Sequence, residues 1–387
     1  MKILLVTTIY PPDIGGPATY AWDVSRRLRA RGHHVEIVSA SVNATDSGVH
    51  HPPPWFRRVR FVRGLFRIAF LFWLLLRVGR RHDVLYVQSP SHIGLLVVLA
   101  ARILGKPVVL RFPGDVAWER TFARGGTKKT LHEFLRAPEG GWRTSLLLRI
   151  QRIVAMRADR VVTPSTYIRN ALIEAYGVRP THIRAIHHSL DTISVTANRD
   201  GNNGPLILSV GRLVRHKRIT DLIAAMPRVA TAFHAARLLV VGEGAERARL
   251  EAEAEQLGIA NRVTFLDSVP RDRVLQMMGE ADLLVLPSLA ETLSHVAIEA
   301  IVIGLPVVAT AIPGLTEVLE HEKTALLVPP CDPAALADAI IRMLQDAPLR
   351  QRCVDHGRAV AREKFNWETN LAALENVLGA AFQEHSA

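Results

Sequence analysis

The feature that most constrains this chain is an alternation of short apolar runs with helical patterns, carried through twice. KILLVTTI (2–9), HVEIVSA (34–40), DVLYVQS (83–89), PVVLRF (107–112), DRVVTPS (159–165) and IRAIHHS (183–189) read as strands. Several are rich in Val and Ile on both faces, as strands covered on both sides of a parallel sheet must be. Between them TYAWDVSRRLRARG (19–32), IGLLVVLAARILG (93–105) and TYIRNALIEAYG (166–177) have helical spacing and end on glycines placed as helix caps. A polar, Gly/Asn-rich linker, TANRDGNNGP (196–205), interrupts the pattern. It restarts with LILSVGRL (206–213), RLLVVGEG (237–244), VTFLDSV (263–269), DLLVLPS (282–288), PVVATAI (306–312) and ALLVP (325–329). Such alternation specifies a doubly wound α/β sheet, here two of them. The length, 387 residues, is too great for one ordinary core. The expected domains are residues 1–198 and 205–365, with a terminal helix, 366–387, crossing back to the first. Ligands of this fold class sit beyond the carboxyl ends of the strands, so the expected site is a cleft between the two domains.

Composition narrows the function class. Two cysteines, Cys331 and Cys353, are too few for a disulfide framework, lack metal-ligand spacing and fit a reducing cytosol. The amino-terminal apolar run lacks a small-residue cleavage site and passes into a Pro-Gly loop, so it reads as a first buried strand and not a signal peptide. The longest apolar run, IAFLFWLLL (68–76), falls far short of the roughly 20 residues that span a bilayer. Net charge is +12 and unevenly spread: eight arginines lie between Arg57 and Arg81 (57, 58, 60, 63, 67, 77, 80 and 81), interleaved with Trp, Phe and Leu and with no acidic residue. That segment suits an anionic membrane surface, and equally a helix packed on a sheet with a solvated basic edge. No nucleic-acid motif accompanies the charge, so nucleic acid is not an expected partner. The histidine pairs 33–34, 50–51 and 187–188 are not at ligand spacing and suggest surface or structural roles.

Three stretches carry chemistry. SVGRLVRHK places Arg212, Arg215, Lys217 and Arg218 at a strand's carboxyl end, where clustered cations suit phosphate oxygens. VVGEGAERARL ends a strand on Gly242 and Gly244, a turn that lets backbone approach a phosphate or nucleoside, although Arg247 stands where a third glycine would complete the dinucleotide fingerprint. In PSLAETLSHVAIEAIVIGLPVVA (287–309) a helix is expected from near Ser294 to Gly304, with Glu291 just before it and Glu299 between one and two turns inside. Free N–H groups at that helix start suit a pyrophosphate, and carboxylates on either side would accept hydrogen bonds from hydroxyls. Hydroxyls, pyrophosphate and hydroxyls, in that order, make a nucleotide sugar.

Taken together, Glu-x7-Glu after a Pro-Ser strand end, the VGRL…K loop, DSVPRDRV and GLPVVATAIPGLTEVL resemble the family 4 retaining glycosyltransferases of the GT-B fold. The resemblance extends from PPDIGGPATYAWDVSRRLRARGHHVEIVSA to FNWETNLAALENVLGAAF and so covers nearly the whole chain. It implies two Rossmann-like domains facing a cleft, with the donor on the second. Arg212 and Lys217 would neutralise the donor diphosphate, Glu299 would bind the ribose, and Glu291 would face the donor sugar. The backbone of Thr292, Leu293, Ser294 and His295 would line the pyrophosphate, Gly211 and Gly242 would belong to the donor site, and Val269 would contact the base. Gly15 and Gly16, in the first βα loop, would approach donor phosphates and acceptor.

The chain departs from the family pattern in three places. Thr292-Leu293-Ser294 replaces a Gly-Phe-Gly-like run. Gly114-Asp115 replaces a His-Asp pair, which leaves Asp115 as the polar candidate near the reacting centre. His188-Ser189-Leu190-Asp191 replaces Asn-Gly-x-Asp, with Asp191 expected to support the interdomain region. The Gly-Asp-x-Ala-Trp-Glu form resembles a subgroup of bacterial exopolysaccharide and capsule synthesis. The implied activity is retaining, metal-independent hexosyl transfer from a UDP- or GDP-sugar to a lipid-linked saccharide, by a cytoplasmic protein peripheral to the inner membrane face. No cofactor or metal is expected, since no Asp-x-Asp occurs in the sequence. A nucleotide-sugar epimerase of the same fold, or a non-catalytic sugar-nucleotide-binding protein, are the alternatives.

Overall fold

A computed structural model describes residues 1–11, 13, 16–39, 56–58, 64–190 and 204–386. The chain divides into two compact units, Met1–His188 with Glu368–Ala387, and Ser189–Trp367. Gly15, Arg60, Arg63, Asp191 and most of the expected linker lie outside the described residues.

The first unit holds seven strands: β1 (Lys2–Thr7), β2 (His34–Ser39), β3 (Phe56–Arg58), β4 (Val84–Val87), β5 (Val108–Arg111), β6 (Arg160–Thr163) and β7 (Ile183–Ala185). They pair in parallel throughout, in the order β3-β2-β1-β4-β5-β6-β7. The order reverses between β1 and β4, the switch point at which a doubly wound sheet opens a crevice. β4 and β5 are buried along their whole length, which is why they read as unbroken apolar runs.

β3 corrects the sequence reading, which placed no strand there. It pairs Phe56, Arg57 and Arg58 with Ile37, Val38 and Ser39 at the sheet edge. The Arg-rich segment therefore begins as an edge strand, and its helix spans Gly64–Gly79. That helix buries Leu71, Leu74, Leu75 and Val78 and leaves Phe66, Phe70 and Trp73 exposed. The carboxyl-terminal helix, Trp367–Ser386, buries Leu371, Leu374, Val377 and Leu378. Glu375 on that helix accepts from Arg31 at 2.5 Å and lies 2.9 Å from His33 Nε2.

The second unit holds β8 (Leu206–Val210), β9 (Arg237–Val241), β10 (Val263–Leu266), β11 (Leu283–Leu286), β12 (Val307–Thr310) and β13 (Leu326–Val328). All are parallel, in the order β10-β9-β8-β11-β12-β13, with the reversal between β8 and β11. Successive side chains alternate between two cores, one on each face of the sheet. Ile207, Leu283 and Val285 enter one core, while Leu208, Leu284 and Leu286 enter the other. Both faces are covered by helices, so the loops at the sheet's carboxyl edge stand on a rigid base.

Glu375 serves two basic partners at once, and its removal takes an acceptor from both, leaving Arg31, among the described residues, with only the exposed Glu368. Glu375→Ala is expected to cost about 1–2 kcal/mol in denaturant unfolding. It should also speed amide exchange along the terminal helix more than elsewhere in the first unit.

Candidate active site

The carboxyl edge of the second sheet is built on backbone contacts that only glycine permits. β8 passes into Gly211 and β9 into Gly242, the latter at φ +143°. A Cβ at Gly242 would stand 2.0 Å from the Gly211 carbonyl oxygen, and one at Gly244 would stand 2.1 Å from that of Leu213. Leu213 N–H donates to the Glu243 carbonyl at 2.7 Å, and Glu246 N–H donates to Leu213 at 3.0 Å. The two loops are thereby locked together. A short 3₁₀ turn, Arg215–Lys217, closes on Arg218, whose left-handed φ of +51° is held by a two-point contact with the buried Asp221. This anchors the position of Lys217.

The loop after β11 meets that turn. Leu289 N–H donates to the His216 carbonyl at 2.7 Å. Lys217 Nζ donates to Glu291 Oε1 at 2.5 Å, and Ser288 Oγ donates to the same oxygen at 3.0 Å. Both charged side chains are largely shielded, so their attraction is less screened than at the surface. Behind them Gly314 packs on the Glu291 backbone so closely that a Cβ there would lie 2.1 Å from the Glu291 carbonyl oxygen. Burial, reinforced by Lys217, pushes the His216 pKa down to about 4, so this imidazole is neutral at physiological pH. Arg212 is exposed on the same loop.

The helix expected after this loop spans His295–Ile303. Ser294 caps it, accepting from the Ala297 N–H at 3.3 Å, and Gly304 ends it at φ +83°. Leu293 is buried in the core while Thr292 and His295 are half-buried. Glu299, the fifth residue of the helix, is 7% exposed and accepts from Arg271 Nε at 2.7 Å. Burial raises its pKa and Arg271 opposes the rise. Val269, two residues before Arg271, is half-buried against the core beneath. The geometry therefore joins Lys217 with Glu291 and pairs Glu299 with Arg271. Arg271, Ser288 and Gly314 were given no role by the sequence reading, although all three lie inside motifs it quoted: VPRDRV, the Pro-Ser strand end and AIPGLTEVL.

Comparison with known proteins bears on this arrangement. The family model described as "Glycosyl transferase 4-like domain" matches residues 15–188, and "Glycosyl transferases group 1" matches residues 195–360. The solved sucrose-phosphate synthase from Thermosynechococcus elongatus superposes with a TM-score of 0.82 at 23% identity, over 99% of each chain. The chain is a GT-B glycosyltransferase. HepE from Anabaena, solved with UDP and glucose, shares the fold at a TM-score of 0.80 and 21% identity, over 98% of this chain and 99% of its own. Among sequence relatives, an uncharacterized glycosyltransferase of Methanocaldococcus jannaschii is 25% identical over 99% of both chains. The glycogen synthase of Mycobacterium tuberculosis is 27% identical over 98% of this chain and 95% of its own.

In the first unit of the transferase, Gly16 is the exposed first residue of the helix Gly16–Ala30. Asp115 does not stand as an open polar group beside a reaction, as its place in the sequence suggested. It is fully buried and caps the helix Val116–Ala123, accepting from the Trp118 N–H at 2.8 Å and from Gln151 Nε2 at 3.0 Å. The Tyr176 hydroxyl donates to its second oxygen, delivered by a π-turn at Leu172–Tyr176. Burial raises the Asp115 pKa against these hydrogen bonds. With its oxygens engaged by its own fold, Asp115 positions the β5 loop.

The raised pKa of Glu299 has a measurable consequence. Its ionised form costs stability once pH has risen through the folded-state pKa, and the cost vanishes below the ordinary carboxylate range, where the group is protonated in both states. Ligand-free Glu299→Gln is therefore expected to melt at or above the wild-type temperature at neutral pH, with the difference closing in acid. Thermal denaturation across that range measures it, and a lower melting point at neutral pH would mean that the Arg271 pair outweighs burial.

Proposed function

We propose that this glycosyltransferase moves a hexosyl group, with retention and without a metal ion, from a UDP- or GDP-sugar to a lipid-linked saccharide in cell-surface polysaccharide synthesis of the exopolysaccharide or capsule kind. The observation that carries the reading is the Lys217–Glu291 contact, with Arg212 on the same loop, at the switch point between β8 and β11. Breaking an anomeric C–O bond leaves developing charge on the departing diphosphate, and stabilising that charge is the main demand on the protein. Arg212 and Lys217 supply two cations for it in place of a divalent ion. Glu291, released from Lys217 as the diphosphate arrives, turns to hydroxyls of the donor sugar, with the backbone of Thr292, Leu293, Ser294 and His295 along the pyrophosphate. Glu299 accepts from the ribose hydroxyls, and Arg271 keeps that carboxylate oriented. Attack from the face the leaving group departs gives retention. The UDP and UDP-glucose complexes of HepE support a nucleotide-sugar donor.

The decisive assay follows nucleoside diphosphate release from a donor panel with and without a lipid-linked saccharide. Release that depends on acceptor and withstands chelator is the expected result. Lys217→Ala should lower kcat by roughly 10²–10³-fold, the usual cost of losing one stabiliser of transition-state charge. A near-normal rate in that variant, or dependence on a divalent ion, would overturn the assignment.

A peripheral seat on the inner membrane face completes the proposal. Among the described residues no helix is long and apolar enough to cross a membrane. Helices Gly64–Gly79, His92–Leu104 and Trp142–Arg157 pack side by side in the first unit. They expose Phe66 (79%), Trp73, Ile103, Leu146 and Met156 to solvent. The Arg77 guanidinium lies 5.2 Å from the Trp73 ring centroid, joining cation and aromatic as an anionic lipid surface requires. Sedimentation with phosphatidylglycerol vesicles should be strong at low salt, weak with phosphatidylcholine, and reduced about tenfold by Trp73→Ala combined with Phe66→Ala, in line with the loss of buried apolar area. Equal binding by wild type and variant would remove the membrane part of the proposal.

A further inference from the structure

The first unit carries a polar cluster at the carboxyl edge of its sheet that the proposed chemistry leaves unused. β4 and β5 pair Leu85 with Val108, Tyr86 with Val109 and Val87 with Leu110. Continued by one residue, that register sets Gln88 beside Arg111, and alternation places both on the face that carries Tyr86. Arg111 is 3% exposed and Gln88 2% exposed. Among the described residues, neither side-chain atom of the Gln88 amide has a hydrogen-bond partner, and Arg111 Nε has none. Among the described residues no carboxylate pairs with Arg111. Asp115, the nearest acid along the sequence, is already taken by Trp118, Gln151 and Tyr176. The guanidinium rests instead on the Tyr20 ring, 3.3 Å from its centroid, and the Tyr20 hydroxyl meets that of Tyr86 at 3.0 Å.

A buried guanidinium without a counter-ion is among the costliest features a core can carry, and one aromatic face offsets only part of that cost. An unpaired buried amide on the next strand adds to it. Both costs disappear if an anion fills the position. The planar fork of Arg111 matches two oxygens of a phosphate, and the Gln88 amide can donate to a third.

We infer that Arg111 and Gln88 form a phosphate-binding subsite on the first unit. Resting on the proposed glycosyl transfer, the phosphate is one carried by the acceptor, such as the phosphate that joins a saccharide to its lipid. The subsite thereby selects phosphorylated over neutral acceptors. Tyr20 holds the guanidinium flat in the unliganded protein, so little ordering is left when the anion arrives.

Calorimetric titration of the full chain, first saturated with whichever of UDP and GDP it binds, tests this with glucose 1-phosphate as probe and glucose as the neutral control. Wild type should bind glucose 1-phosphate and gain melting temperature from it, while glucose does neither. Arg111→Met should lose at least tenfold in affinity, with Arg111→Lys intermediate and Gln88→Leu several-fold weaker. Unliganded Arg111→Met should melt no lower than wild type, because it removes a charge the fold does not neutralise; an arginine serving the fold would give a lower melting point. The inference fails if glucose 1-phosphate does not bind once the nucleotide is in place, or if Arg111→Met binds it like wild type. Should the methionine variant not fold, undiminished binding by both Arg111→Lys and Gln88→Leu would overturn it equally. Failure of both nucleotides to bind, with glucose 1-phosphate still captured through Arg111, would sink the donor assignment and leave the phosphate subsite standing.

Discussion

The contact between Lys217 and Glu291 is the interaction on which the proposed chemistry turns. It links the loop after β8 to the loop after β11, the two strands at which the second sheet reverses its winding. It is held from beneath by backbone: glycines at 242, 244 and 314 let main chains touch where any side chain would force them apart. The pair is mostly withdrawn from water, so removing either member leaves the other charge poorly compensated. A ligand that offers Lys217 a better anion and Glu291 a hydroxyl can exchange with the pair at little electrostatic cost. That exchange is the physical core of the proposed donor site.

Most of the fold was legible because both faces of each sheet are buried. A strand buried on both sides must be apolar throughout, and such runs, punctuated by capping glycines, marked β4, β5, β11 and β12 without ambiguity. β3 was not legible. It is three residues long, lies at the edge and contains two arginines, so it has neither the length nor the pattern of a buried strand. The Ser294–Gly304 helix was readable because cap residues stand at both ends of one apolar run.

The site was partly legible for a related reason. Lys217 was found because cations cluster at the end of a buried strand, and Glu291 and Glu299 because their charges interrupt a small and apolar run. Their partnerships were not: Lys217 and Glu291 are 74 residues apart, and Arg271 reaches Glu299 from another helix. Asp115 misled for the opposite reason. Its sequence neighbourhood suggested chemistry, but Asp before the run VAWERTFA is also a helix-cap signal, and Gln151 and Tyr176 complete its hydrogen bonds from distant segments. Arg111 passed unnoticed inside an apolar strand, where nothing local tells whether a cation is paired.

The two units thus treat charge differently. The second pairs Lys217 with a carboxylate that the proposed donor would replace, while the first, among its described residues, keeps the buried Arg111 guanidinium without one. The competition of Glu291 with the donor diphosphate for Lys217 is tested most directly by the dissociation constant of UDP or GDP alone, in wild type and in Glu291→Gln. A nucleoside diphosphate has no sugar for Glu291 to hold, so neutralising that carboxylate should free Lys217 and tighten nucleotide binding. Weaker or unchanged binding would contradict the account, because it would mean that Glu291 does not compete with the diphosphate for Lys217.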